Sequence, residues 1–298
     1  MKFDINTIIA EVQEHYKKDK KAQDMVVSGN ALKKVYTERD GIPLHESSII
    51  ANMLEIPCVP YNKIIQLAGD SDVGKSTEAS QVMASAQKSD HLVICEDTED
   101  KFDSNRYDTR FGGDSKSTVL IKTNEILQGG EKIRKTVIAT KTKYPDTKIL
   151  IVIDSVGGGQ SRAHAELELD SEKHAQPGQD AKENSRLMKM LVALINKYPD
   201  SIAILLVNQV YTKMGFMQHG DQENGGKKVY FHSSAIIRLK RIKVLTKVIK
   251  GRKKKYGIIT KAVVTKNHLS QTDMSIHELD FEITANGVGI SAEQSDSD

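Results

Sequence analysis

The stretch GDSDVGKST fixes the path of the backbone around it before any other part of the chain is considered. It matches the pattern G-x-x-x-x-G-K-[ST] at Gly69, Gly74, Lys75 and Ser76. An apolar run, KIIQLAG (63–69), precedes it and a helix-length segment (75–88) follows it. A strand that turns through such a loop into a helix presents backbone N–H groups and a helix N-terminus to an anion. The residues Gly69, Asp70, Ser71, Asp72, Val73, Gly74, Lys75, Ser76 and Thr77 therefore read as a polyphosphate cradle. Lys75 is expected to reach the β- and γ-phosphates, and the Ser76 hydroxyl to bind Mg²⁺. Asp70 and Asp72 are unusual beside an anion, and their side chains are expected to point outward.

Three further apolar runs share the first one's character: HLVICEDTE (91–99), KILIVIDS (148–155) and SIAILLVNQ (201–209). Helix-length segments at 75–88, 122–143 and 180–197 separate them. Strands that alternate with helices predict an α/β fold with a mostly parallel central sheet flanked by helices, here a P-loop NTPase core. Beyond residue 230 the pattern changes to strands with short connections. At the N-terminus Ile5, Ile8, Ile9, Val12 and Tyr16 fall at helical spacing. The expected organisation is a helical segment over 1–46, a core over 47–285 that carries the phosphate site, and a disordered tail over 286–298.

The second half of a nucleotide site follows from these strands. Asp154 ends KILIVIDS, where its carboxylate can hold hydrated Mg²⁺ from the side opposite Ser76. Hydrolysis also needs a group that orients water, and the run at 91–99 ends in Glu96, Asp97, Glu99 and Asp100. Spacing does not choose among the four. SIAILLVNQ ends in two neutral amides, Asn208 and Gln209, and opens into a segment rich in Met, Gly and amides.

Charge and composition narrow the partners. The chain has 298 residues, 28% of them charged, and a net charge of +3 that conceals an asymmetry. From Arg238 to His268 there are twelve Lys and Arg and no Asp or Glu. Such a patch suits a polyanion, nucleic acid above all. Within it KGRKKKYG (250–257) has strand-like flanks and reads as a hairpin tip that projects Arg252, Lys253, Lys254 and Lys255, with Lys240, Arg241 and Lys261 nearby. No run of 18 apolar residues occurs, so no membrane partner is expected, and no signal-peptide core is present. Two cysteines provide neither a disulfide framework nor a metal quartet, which fits a cytoplasmic setting, the host's cytoplasm for a viral chain.

The order GDSDVGKST, EDTEDKFDSNRY, ILIVIDSVGG, LLVNQVYTKMG and FHSSAIIRLKRI resembles that of RecA-family recombinases, above all the compact phage type, across roughly residues 47–285. The resemblance implies a RecA-like core that binds ATP and Mg²⁺, with Glu99 as the catalytic glutamate and Glu96 as runner-up. It implies that Gln209 contacts the γ-phosphate and begins a mobile DNA-binding loop over 210–227. Within that loop Met214, Phe216 and Met217 offer apolar surface to bases, Gly215, Gly225 and Gly226 let the backbone approach DNA, and Lys227 closes the segment. Arg106 or Tyr107 falls where the family stacks on adenine. A second DNA loop is expected near 160–178, where His164 and His174 read as loop residues, followed by a helix bearing Lys182, Arg186 and Lys189 on one side. TKNH places Lys266, and His268 where bacterial relatives carry a second lysine, on a segment that reaches a neighbour's γ-phosphate. Asn62 replaces a glycine common in the family, and the separate C-terminal domain of bacterial RecA has no counterpart here.

The implied activity is that of a DNA-dependent ATPase, a recombinase that forms helical homo-oligomeric filaments on single-stranded DNA, pairs them with double-stranded DNA and exchanges strands. Single-strand-binding and mediator proteins are its expected helpers. Alternatives are a RecA-like mediator or regulator without strand exchange, and a hexameric helicase motor.

Overall fold

Residues alternate in direction along a strand, so a strand that is apolar at every position can be buried on both faces. The structure, a computed structural model, describes residues 4–15, 17, 35–167, 178–215, 218–269 and 278–290. It divides into two units, Met1–Tyr36 and Thr37–Asp298. The first contains α1 (Ile5–His15), on which Ile8 and Val12 are exposed. Asp4 precedes this helix and its carboxylate accepts the Thr7 hydroxyl at 2.6 Å.

The second unit begins with an antiparallel ribbon, β1 (Gly41–Pro43) and β2 (Cys58–Pro60), joined through α2 (Ile49–Leu54). The chain then forms β3 (Ile64–Gly69), α3 (Lys75–Lys88), β4 (Leu92–Asp97), β5 (Thr118–Lys122), α4 (Ile126–Lys143) and β6 (Ile149–Asp154). After these come α5 (Arg162–Leu167), α6 (Gln179–Lys197), β7 (Ile202–Gly215), β8 (Gln218–Glu223) and α7 (Lys227–His232). The last elements are β9 (Ala235–Ile249), β10 (Arg252–Asn267), β11 (Glu278–Thr284) and β12 (Gly287–Ile290).

The main sheet has the order β12-β11-β10-β9-β3-β7-β6-β4-β5. Its strands are parallel from β9 to β5 and antiparallel from β9 to β12. The expected mostly parallel sheet is therefore present. Ile149, Ile151, Ile153, Ile204 and Leu206 pack on one face with Ile133 and Val137 of α4 and Leu187, Leu191 and Leu194 of α6. The intervening residues, Leu150, Val152, Leu205 and Val207, are equally buried on the other face, where α3 lies over β4, β6 and β7. Each such side chain contributes about 1.5–3 kcal/mol when removed from water.

The basic hairpin forms as expected. Ile249 pairs with Arg252 across Lys250 and Gly251, whose φ values of 50° and 74° describe the two-residue turn that matches strand twist. Asn62 adopts φ 63°, which accounts for a glycine preference at this position. Its amide also donates to Asp200 Oδ1 at 2.9 Å, a bond that glycine lacks.

Two expectations are corrected. Of the segment 286–298, expected to be a disordered tail, Gly287–Ile290 form β12, which adds an edge to β11 and is tied to α3 by Val288 N–H donating to Gln81 Oε1 at 2.9 Å, while 291–298 lie outside the described residues. The segment after Gln209, expected to be a loop, continues as β7 to Gly215 and pairs with β8 from Val210↔Glu223 to Gly215↔Gln218. Its backbone groups satisfy one another across this ladder.

Helix α4 approaches β4 closely because Gly129 has no side chain: a Cβ there would lie 1.6 Å from Glu96 Oε1. At the adjacent Gly130 a Cβ would meet the flexible end of Met190 at 2.3 Å and Leu187 Cδ1 at 2.8 Å, a less severe approach. Gly129→Ala is expected to cost about 1–3 kcal/mol by overpacking, and more than Gly130→Ala, as compared by thermal unfolding of the two variants.

Candidate active site

At the end of β3 the chain turns through Asp70–Gly74 into α3. Gly69 and Gly74 take φ values of 155° and 98°, and both are also closely packed. A Cβ at Gly69 would lie 2.3 Å from Leu239 O, and one at Gly74 2.0 Å from Ile283 Cδ1. Strands β9 and β11 thus hold the loop from behind. Asp70, Ser71 and Asp72 are exposed and Val73 is buried, but Asp72 lines the cleft beside the loop rather than pointing away from it. Lys75 is only 7% exposed, and its ammonium donates to Gly69 O at 2.8 Å and to Asp70 O. Burial lowers its pKa, against the pull of Asp154, Asp70, Glu99 and Asp72.

A cleft opens beside this loop, and strand parity decides which side chains enter it. Cys95 and Asp97 line it from β4, Val152 and Asp154 from β6, and Val207 and Gln209 from β7. Burial raises the Asp154 pKa, with Ser76 hydrogen-bonding to the carboxylate in opposition. Ser76 and Asp154 thus bring hydroxyl and carboxylate oxygens together, a donor set that fits a hard cation such as Mg²⁺.

The four carboxylates at and just after the end of β4 separate by position. Glu96 faces the opposite side of the sheet, is 1% exposed against α4, and burial pushes its pKa up to about 8 despite Lys132. Asp97 accepts backbone N–H groups from Glu99, Lys101 and Phe102 at 3.2, 3.1 and 2.8 Å, so it shapes the following turn. Asp100 is exposed and paired with Lys122. Glu99 faces the cleft, where its Oε1 accepts Ser155 Oγ at 2.6 Å and Gln209 Nε2 at 2.8 Å, and its Oε2 pairs with Lys101. Partial burial resists ionisation of Glu99, but the bonds from Lys101, Ser155 and Gln209 prevail and hold its pKa below the ordinary value.

Arg106 enters the cleft, donates to Thr77 Oγ1 at 3.2 Å and lies 5.3 Å from the Phe111 ring centroid. Tyr107 does not enter, which corrects its assignment to nucleotide binding. It is 1% exposed, its hydroxyl donates to Gln87 Oε1 at 2.7 Å, and its ring fills the space beside Gly113. The two amides of β7 also part company. Gln209 reaches Glu99, whereas Asn208, on the other face, donates to Asn224 O at 2.8 Å and anchors the returning strand.

A family model described as RecA N-terminal domain matches residues 7–291. The chain belongs to that family. It is 28% identical to the protein RecA of Helicobacter hepaticus over 242 residues, which are 80% of this chain and 64% of that protein. It is 29% identical to the protein RecA of Ureaplasma parvum over 213 residues, 71% of this chain and 59% of that one. The matched region thus spans about 60% of the length of these curated relatives.

Among the described residues, the others singled out from the sequence do not line the cleft. Lys182, Arg186 and Lys189 are exposed together along α6. Lys240, Arg241 and Arg252–Lys255 are exposed on the β9–β10 hairpin. Met214 and Gly215 fall at the end of β7, while Phe216, Met217 and His174 lie outside the described residues. His164 Nδ1 pairs with Asp180 at 2.7 Å. Gly225 and Gly226 serve an internal turn before Lys227 and α7, with φ values of 88° and 82°. A Cβ at Gly225 would meet Val229 and Val156 within 2.9 Å, so packing requires this glycine. Lys266 donates to Tyr230 O at 2.8 Å and Phe231 O at 3.2 Å, capping the end of α7, and His268 is exposed. Neither lines the cleft of its own chain.

Lys101 and Ser155 escaped the sequence reading. Strand parity separates Glu96 from the cleft; the contacts of Lys101 and Ser155 with Glu99 depend on how the turn folds around Asp97.

Glu96 has a measurable consequence. Its folded pKa, about 8, lies above the ordinary 4.5, so the folded chain binds the proton more tightly. The associated stability is complete below 4.5 and is lost as pH rises through about 8. Glu96→Gln is expected to flatten the fall in melting temperature across this window, measured by thermal unfolding at a series of pH values.

Proposed function

We propose that this chain is an ATP-dependent DNA recombinase, a DNA-dependent ATPase that assembles into helical filaments on single-stranded DNA and promotes homologous pairing and strand exchange. The observation that carries this reading is the hydrogen bond from Gln209 to Glu99. It joins a carboxylate of the phosphate cleft to the strand that continues into the β7–β8 hairpin.

In this reading Lys75 and the loop Gly69–Thr77 bind the phosphates of ATP, and Arg106 stacks on its base. Ser76 and Asp154 would hold Mg²⁺, which when bound would neutralise phosphate charge. Glu99, a carboxylate that faces the phosphate cleft, accepts a proton from water. Gln209 exchanges its bond to Glu99 for one to phosphate, and the exchange moves β7 and β8 against DNA. Lys182, Arg186, Lys189 and Lys227 bind strand phosphates, Met214 to Met217 meet bases, and the basic hairpin receives duplex DNA. Lys266 and His268 act on a neighbouring protomer's nucleotide, and the exposed apolar residues of α1 dock on a neighbouring protomer. Such a protein works in the cytoplasm, with single-strand-binding and mediator proteins as helpers.

The test is ATP hydrolysis with and without single-stranded DNA, over a range of protein concentrations, beside Gln209→Ala and Glu99→Gln. The expected result is cooperative stimulation by DNA, uncoupled in Gln209→Ala. Glu99→Gln should lower kcat by about 10²–10⁴-fold. DNA affinity should fall steeply with salt and show little sequence preference. Slow hydrolysis that is indifferent to DNA would favour a regulator, and strand exchange with homologous duplex separates the two directly.

A further inference from the structure

The turn after β4 places a cation where the RecA resemblance assigned none. Residues Thr98–Phe102 wrap around the Asp97 carboxylate, and one of the bonds that fix them is Lys101 N–H to Asp97 Oδ1 at 3.1 Å. The Lys101 backbone is therefore fixed, while its side chain is 75% exposed and lines the cleft. Its ammonium pairs with Glu99 Oε2, whereas Ser155 and Gln209 both donate to Oε1. The two oxygens of Glu99 are thus held by different donors.

The charge of the cleft gives this arrangement a use. Five carboxylates line it against three cations, Lys75, Lys101 and Arg106. A triphosphate bound there adds negative charge, so each cation matters to it. Lys75 is folded onto the carbonyls of the phosphate loop, and Arg106 lies between Thr77 and Phe111. Lys101 is the cation held beside Glu99 and Gln209.

We propose that Lys101 senses the triphosphate within its own chain, exchanging Glu99 Oε2 for oxygens of the γ-phosphate and thereby leaving Oε2 open to the attacking water. The proposal rests on the nucleotide reading above and deepens it. Gln209 and Lys101 then form two halves of one switch, one on each oxygen of Glu99. The Gln209 half signals to β7, and the Lys101 half ties release of the base to the presence of a third phosphate. A diphosphate leaves Lys101 on Glu99.

The test is equilibrium binding of a non-hydrolysable ATP analogue and of ADP, each with Mg²⁺ and without DNA, to the wild-type chain, Lys101→Met and Lys101→Arg. Loss of a charge-assisted bond to the γ-phosphate should weaken the analogue about tenfold in Lys101→Met, leave ADP within about twofold, and be largely restored in Lys101→Arg. Unchanged affinities in Lys101→Met would identify an ordinary surface ion pair and overturn the proposal. Equal losses for both nucleotides would overturn it as well, because they would assign Lys101 to general support of the cleft. A wild-type chain that binds neither nucleotide would remove the nucleotide reading itself, and the proposal with it.

Discussion

The central strands are buried on both faces, and the arrangement of the protein follows from that constraint. Along β6 up to Ile153, and along β7 up to Val207, every side chain is apolar and buried. Asp97 and Asp154 therefore stand at the ends of β4 and β6, and Gln209 where β7 leaves its pairing with β3, all beside the loop that follows β3. Because direction alternates along each strand, the same constraint sends Asp97, Asp154 and Gln209 into the cleft and Glu96 and Asn208 away from it. Position in the strand assigns these residues their tasks as firmly as their chemistry does.

Much of this was readable in the sequence where the physical signal is strong. The four apolar runs, the phosphate loop and the hairpin tip carry dense local information, through continuous hydrophobicity, glycine spacing and turn composition. The short elements β1, β2, α2 and β5 were not anticipated, since each comprises three to six residues and depends on tertiary partners. Ser48, for example, caps α2 and also donates to the buried Glu78 of α3, thirty residues away.

At the site, the loop residues and Asp154 could be read from their motif, whereas Tyr107 shows the limit. Its neighbour Arg106 occupies the cleft, and a helical turn points the next residue into the core, where Gln87 receives its hydroxyl. Lys101 shows the converse. Nothing in its spacing marks it, because its position follows from Asp97 gathering three backbone N–H groups. Gly225 fits a third pattern: the residue type was noticed, but its demand comes from Val156 and Val229 rather than from an external ligand.

The basic hairpin has a consequence for how copies of the chain behave before they meet a polyanion. Ile242, Val244 and Val248 are exposed on β9, in a ribbon otherwise suited to pairing with a second ribbon. Lysines and arginines interrupt them along both strands, and no acidic residue offers them a match there. Two such ribbons approaching edge to edge bring like charges together, and the repulsion opposes the β-addition that their apolar residues favour. Positive charge therefore acts as a colloidal safeguard, protecting a sticky surface from its own kind.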